Sequence, residues 1–254
     1  MPSILNIAAY RFVAITDPVQ VVANVRASCE RLQLKGTVLV APEGINLFLA
    51  GAAGDIHSFL EELAKDQRFS ALPVKFSQSE SVSFKRLRVR HKREIITFRD
   101  ESLLPAAHRA AALSPCTLRQ WLRAGCDEDG RELVLLDTRN REEVAFGSFA
   151  GALTLSIGKF SEFPEALAGH RENLRGKTIV SFCTGGIRCE KAALWMQQAG
   201  YENVLQLDGG ILGYFEQVGG EGYTGSCFVF DERVALNPDL RPIAQVSPLA
   251  TEPL

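Results

Sequence analysis

The chain has 254 residues, more than a single hydrophobic core usually organises, so two domains are expected. Hydrophobic residues make up 46% and charged residues 23%, ordinary for a globular chain, and a formal net charge of −2 excludes a global electrostatic pull on nucleic acid. No apolar run approaches the roughly 20 residues of a membrane span and Met1-Pro2-Ser3 carries no basic leader, so a cytoplasmic protein without a membrane partner is expected.

Residues 6–14 read as a strand, Asp17-Pro18 opens a helix, and residues 19–32 continue it with apolar side chains at helical spacing. Residues 35–41 and 45–50 are strands flanking Pro42-Glu43-Gly44, a turn signal, so they form a hairpin. Within Glu43-Gly44-Ile45-Asn46 the hairpin turn is the leading reading and RNA contact the lesser one. A second helix starts at Gly54-Asp55 and runs to about Lys65, and residues 74–77 give a fourth strand. Strand, helix, strand, strand, helix, strand is the ferredoxin-like (acylphosphatase-like) α+β arrangement, placed here at residues 1–98.

Residues 83–97 extend this domain and carry the positive charge that the whole chain lacks. Between Phe84 and Arg93, six of ten residues are Lys or Arg. Strand alternation puts Arg86, Arg88 and Arg90 on one face and Leu87 and Val89 on the other, with Lys92 and Arg93 following. Two readings stand: a phosphate track for RNA, or a solvated edge strand whose charge discourages aggregation.

Residues 99–114 are expected to be a linker, and a second domain is placed at 115–222. A helix covers 115–123 and an apolar strand 133–136. Asp137-Thr138-Arg139-Asn140 follows, in which Asp137 or Asn140 is expected to cap a helix and Arg139 is a candidate supporting residue behind a site. A short strand at 151–155, a helix from Phe163-Pro164, a strand at 178–182, a helix to Gly200, a strand at 204–207 and a last helix to about Val218 complete the order. Strands alternating with helices indicate a doubly wound parallel sheet of the α/β class. Residues 223–254 form a tail, whose end from Asn237 is expected to be poorly ordered.

The chemistry converges on Cys183-Thr184-Gly185-Gly186-Ile187-Arg188-Cys189, between an apolar strand and an Ala/Leu-rich helix. Two glycines permit a tight turn, and loop amides together with the helix start favour an anion, so the Cys183 thiol is expected to be a lowered-pKa nucleophile. The backbone of Thr184, Gly185, Gly186 and Ile187 supplies the cradle. Arg188 either steadies an anion or makes a salt bridge with a carboxylate. Cys189 is either a thiol that resolves oxidised Cys183 or a buried helix residue. Glu190 and Lys191 are expected in an exposed first helical turn. Phosphatases using a cysteinyl phosphate need Arg six positions after Cys, where this chain has Cys189, so the shorter loop suits a smaller group such as a terminal sulfur. The six cysteines, at 29, 116, 126, 183, 189 and 227, include no Cys-x-x-Cys pair, which points to reduced thiols, and no metal is expected.

From Pro115 to about Gly220 these residues resemble a rhodanese domain. The string from Cys183 to Ala192 resembles the signature of the rhodanese-containing tRNA uridine hydroxylases. The resemblance extends to Ala41-Pro42-Glu43-Gly44-Ile45-Asn46, Lys92-Arg93-Glu94-Ile95-Ile96 and Cys227-Phe228-Val229-Phe230-Asp231-Glu232-Arg233. It implies oxygen-dependent conversion of the wobble uridine of tRNA to 5-hydroxyuridine, with molecular oxygen as co-substrate, an unidentified electron donor and no other cofactor evident. It also favours RNA as the partner of the basic strand. Longer members carry zinc-binding cysteines after the rhodanese domain, whereas no cysteine follows Cys227 here, so no structural zinc is expected and Cys227 reads as a packed thiol. Two roles stand open for Cys183 within that reading: carrying a persulfide as reductant or sulfur relay, or adding as thiolate to C6 of uracil to make C5 electron-rich. A rhodanese-type sulfurtransferase working through a Cys183 persulfide is the alternative.

Overall fold

The computed structural model describes residues 4–243. The tail expected to be poorly ordered from Asn237 is folded over its described part, where Asn237 Oδ1 accepts from Arg241 N at 2.9 Å and Ile243 N donates to the Ala235 carbonyl at 3.2 Å; the rest of that expectation, 244–254, lies outside the described residues. Strand β1 (Ile4–Phe12), helix α1 (Pro18–Arg31), β2 (Lys35–Ala41), β3 (Gly44–Ala52), α2 (Ala53–Ala64), β4 (Val74–Ser79) and β5 (Leu87–His91) build the first unit. Their sheet order is β4-β1-β3-β2-β5. The first four strands are antiparallel and β5 joins the β2 edge in parallel, with Val38 opposite Val89. Alternation works as the period of a strand requires. In β2, Val38 and Val40 are buried with Leu47 and Leu49 of β3, and Val25 and Cys29 of α1 and Phe59 and Leu63 of α2 cover them. Val89 turns into this core while Arg88 and Arg90 stay exposed, as do Arg86, Lys92 and Arg93.

The hairpin turn at Pro42-Glu43 holds more than its own strands. Gly44 has φ +153°, and a Cβ there would lie 2.1 Å from the Arg11 carbonyl oxygen, so only glycine fits. Glu43 Oε1 accepts from the Ile95 N–H at 2.7 Å and Asn46 Nδ2 donates to the Ile95 carbonyl at 3.3 Å. The two motifs at 41–46 and 92–96 are thus one contact, and regular strand within the basic stretch covers Leu87–His91.

The second unit begins at Phe98. Its elements are β6 (Ala112–Leu113), α3 (Pro115–Ala124), β7 (Leu133–Asp137), α4 (Arg141–Val144), β8 (Gly147–Phe149), β9 (Leu153–Thr154), α5 (Phe163–Ala168), α6 (Arg171–Leu174), β10 (Thr178–Phe182), α7 (Ile187–Gln198), β11 (Val204–Leu207), α8 (Gly210–Val218), β12 (Tyr223–Gly225), β13 (Cys227–Phe228) and β14 (Ala235–Leu236). The main sheet, β6-β11-β10-β7-β9, is parallel throughout. Val180 and Phe182 of β10 pack with Leu118 of α3 and Ile211, Tyr214 and Phe215 of α8. Elsewhere Trp195 of α7 meets Phe163 of α5 edge to face, at 5.9 Å between ring centroids.

Two stretches differ from expectation. The end of the expected linker is sheet: Leu113 pairs with Leu207, and the Ala110 carbonyl accepts from Gln206 Nε2 at 3.0 Å. Residues after 222 also fold onto the unit. Tyr223 pairs with Phe149, and β13 and β14 form a small hairpin. Tyr223 and Cys227 supply buried apolar surface that draws this segment back.

Candidate active site

Cys183 stands at the carboxyl end of β10, the central strand of the parallel sheet, where open α/β folds bind ligands. The chain turns through Thr184-Gly185-Gly186, with Gly186 at φ +102°, and α7 begins at Ile187. The Gly186 N–H donates to Cys183 Sγ at 3.1 Å. The turn is closed from behind by the start of α8: Ile211 N donates to the Cys183 carbonyl at 2.9 Å and Leu212 N to that of Thr184 at 3.0 Å. A Cβ on Gly210 would lie 2.4 Å from the Cys183 carbonyl oxygen. The glycine-rich start of α8 is therefore part of the site, which nothing local in Asp208-Gly209-Gly210-Ile211 reveals.

Burial alone would push the Cys183 thiol up. The Cys189 thiol hydrogen-bonded to it, the Arg188 guanidinium and the N–H groups of Arg188 and Gly186 more than offset this, lowering the pKa to about 6. Cys183 is therefore largely thiolate at neutral pH. Cys189 moves oppositely, raised by burial and by the neighbouring Cys183, and so stays protonated as a donor. Its Sγ also lies 3.9 Å from Thr138 Oγ1, whose hydroxyl donates to the Phe182 carbonyl at 3.0 Å.

Arg188 is buried and forms a two-pronged ion pair with Glu143 of α4: Nη1 to Oε2 and Nη2 to Oε1, each 2.6 Å. Burial pushes the Glu143 carboxyl up, but the Arg188 charge reverses this and holds it below the usual carboxylate range. Thr184 Oγ1 donates to Glu143 Oε1 at 3.3 Å. Of the two sequence readings for Arg188, the salt bridge is thus formed, yet its Nε finds no hydrogen-bond partner among the described residues. Glu143 is the residue sequence reasoning missed. Asn140-x-x-Glu143 matches a helix-start pattern, and Glu143 Oε2 does accept from Asn140 N at 3.2 Å, but nothing in the pattern reveals its ion-pair partner.

Arg139 is wholly enclosed and clamps the end of β7. It donates through Nε and Nη2 to Asp137, with Nη2–Oδ2 at 2.6 Å, and through Nη2 to the Gly147 carbonyl at 2.6 Å. Asp137 therefore binds Arg139 and Ser148, at 2.7 Å, rather than capping a helix. Glu190 and Lys191 are not an exposed turn. Both are buried, because α7 is covered on more than its sheet-facing side. Glu190 accepts from Arg109 Nε at 3.0 Å and from Gln206 Nε2 at 3.1 Å. Cys227 is a packed thiol, pushed up by burial to about 12.

The described residues contain no group of three or more His, Cys, Asp or Glu arranged to hold a metal ion, and no helix long and apolar enough to cross a membrane. Residues 4–95 match the UPF0176 acylphosphatase like domain and residues 118–217 the rhodanese-like domain. A tRNA uridine(34) hydroxylase from Xanthomonas euvesicatoria pv. vesicatoria is 60% identical over 94% of this chain and 97% of its own. Hydroxylases of the same name from Xylella fastidiosa (57%, covering 98% and 96%) and Bordetella petrii (55%, covering 99% and 100%) are similar throughout. The chain belongs to the tRNA uridine(34) hydroxylase family. The family likeness spans both units, so the basic strand β5 and the Cys183 loop occur together in one enzyme architecture. It also settles the fold as the acylphosphatase-like domain followed by a rhodanese-like parallel-sheet domain.

Proposed function

We infer that this chain hydroxylates C5 of the wobble uridine, residue 34 of tRNA, with Cys183 as the working nucleophile. The full-length similarity to hydroxylases of that specificity carries the reading. The geometry supports it. A thiolate held by the Gly186 N–H is a competent nucleophile at neutral pH, and the loop is one residue too short to place Arg where a phosphatase needs it. Addition of the Cys183 thiolate to C6 of uracil would make C5 electron-rich; oxygen transfer to C5 and loss of the C5 proton, with expulsion of the thiolate, would leave 5-hydroxyuridine. With molecular oxygen as co-substrate, one oxygen atom goes to the base and the other to water, and two electrons and two protons come from a separate donor. Arg86, Arg88, Arg90, Lys92 and Arg93 on and around β5 are the proposed phosphate contacts.

The test is mass spectrometry of tRNA nucleosides from cells lacking the gene and complemented with wild type or Cys183→Ser. Loss of 5-hydroxyuridine in the deletion, restored by wild type and not by the variant, is expected. Unchanged 5-hydroxyuridine in the deletion, with thiosulfate-to-cyanide sulfur transfer by the purified protein, would replace the reading with a sulfurtransferase.

A further inference from the structure

The β13–β14 hairpin carries a feature that neither the nucleophile loop nor the basic strand explains. Its tip, 229–234, is tightly fastened. Val229 N donates to the Val234 carbonyl at 2.9 Å, and Val234 N to that of Asp231 at 3.1 Å. Arg233 binds Asp231 through Nε at 2.8 Å and Nη2 at 2.6 Å. On this rigid tip Phe230 is 52% exposed, while Val229 beside it is buried. Its ring is braced edge to face by Phe228 at 5.2 Å, and Phe228 packs at a tilt on Phe146 at 5.2 Å. A large apolar ring held in place yet left wet forgoes the burial that stabilises a fold.

The ring stands beside the catalytic loop. The Arg188 guanidinium carbon is 6.0 Å from its centroid, and Thr184 Oγ1 is 3.5 Å from the Phe228 carbonyl. Arg188 Nε, buried, still lacks an acceptor among the described residues. An exposed aromatic ring next to a buried donor without an acceptor among the described residues matches a flat heterocycle with a carbonyl on its edge. Single-stranded RNA offers this chemistry, because unstacked bases dock on aromatic side chains and are held by their polar edges.

We propose that Phe230 is the stacking platform for the target pyrimidine, with Arg188 Nε donating to a carbonyl oxygen of that base. The proposal rests on the hydroxylase reading and adds to it the residue that receives the splayed-out base. It gives Phe230 a positioning role towards Cys183 that no catalytic motif in the sequence signals.

Two measurements test it. The first places 5-iodouridine at position 34 of an anticodon stem–loop, irradiates the complex with the full-length protein and maps the crosslink by peptide mass spectrometry; attachment at Phe230 is expected. The second compares kcat/KM for 5-hydroxyuridine formation in Phe230→Ala, Phe230→Leu and Phe230→Trp. Alanine is expected to lose about 10- to 100-fold, the size of a lost base–aromatic stack. Leucine should stay low and tryptophan recover most of the rate, while the Cys183 alkylation rate is unchanged in all three. Crosslinking confined to other residues, or leucine matching wild type, would overturn the proposal. A wild-type protein that forms no 5-hydroxyuridine yet crosslinks at Phe230 would refute the hydroxylase reading and leave the platform standing.

Discussion

At the scale of single residues, the site divides two thiols into different protonation states. Cys183 receives N–H donors and a nearby positive charge, whereas Cys189 is buried with the Cys183 sulfur as its neighbour. Alkylation of Cys183 by iodoacetamide should therefore reach half its maximal rate near pH 6. Cys189→Ala removes one donor, so the half-point should move up towards the ordinary cysteine value of about 8.5, while Cys189→Ser keeps a donor and should move it less. An unchanged profile in the alanine variant would remove Cys189 from the account of activation. The Arg188–Glu143 pair obeys a different rule. Glu143→Ala leaves a guanidinium buried without its carboxylate, which should cost about 3–5 kcal/mol in urea unfolding. Because the folded-state pKa of Glu143 is depressed, the pair's contribution is complete above the unfolded value of about 4.3 and is lost as pH falls through the lower folded value. Glu143→Gln, which cannot titrate, should flatten that part of the acid limb.

Between elements, the decisive contact is the start of α8 against the back of the Cys183 loop. Gly210 has φ +61° and no room for a Cβ, since the atoms it would strike are the Cys183 carbonyl and the Gly186 nitrogen, both backbone. Gly210→Ala should therefore displace the loop whose Gly186 N–H holds the sulfur. The expected result is a higher alkylation half-point for Cys183 and a stability loss of about 1–3 kcal/mol from the left-handed backbone alone. Retention of both wild-type values would show that the two turns are independent. This contact also marks what the sequence could reveal. Cys183, its glycines and the following helix were legible because strand, turn and helix are local patterns. So was the alternation of Arg88, Val89 and Arg90, because period two is a property of one strand. Glu143 and Gly210 were not, because each acquires its role from a partner far along the chain. Glu190 and Lys191 misled for the same reason: charge next to a helix start ordinarily reads as exposure, and only tertiary covering buries it.

For the whole molecule, the question is how a chain of net charge −2 recognises a polyanion. On the proposed reading, the answer is local concentration of charge. β5 is an added edge strand whose inward Val89 anchors it to the core of the first unit while Arg88 and Arg90 remain outside. Arg26 Nη2 donates to the Val89 carbonyl at 2.5 Å, so the strand is fastened from the helix side as well. An edge strand that only resisted aggregation would need charge but not a particular sign, and glutamates in place of these arginines would serve it equally well. A phosphate track needs the positive sign. Arg88→Glu/Arg90→Glu separates the two roles. If the strand binds RNA, tRNA affinity should fall strongly and the slope of log K against log salt should shrink by about two, roughly one for each lost phosphate contact. The fold and the pH profile of Cys183 alkylation should be unaffected, since both arginines are exposed and none of the groups that lower the Cys183 pKa belongs to the first unit. Unchanged affinity and slope would assign β5 to protection of the sheet edge and send the search for the RNA surface elsewhere.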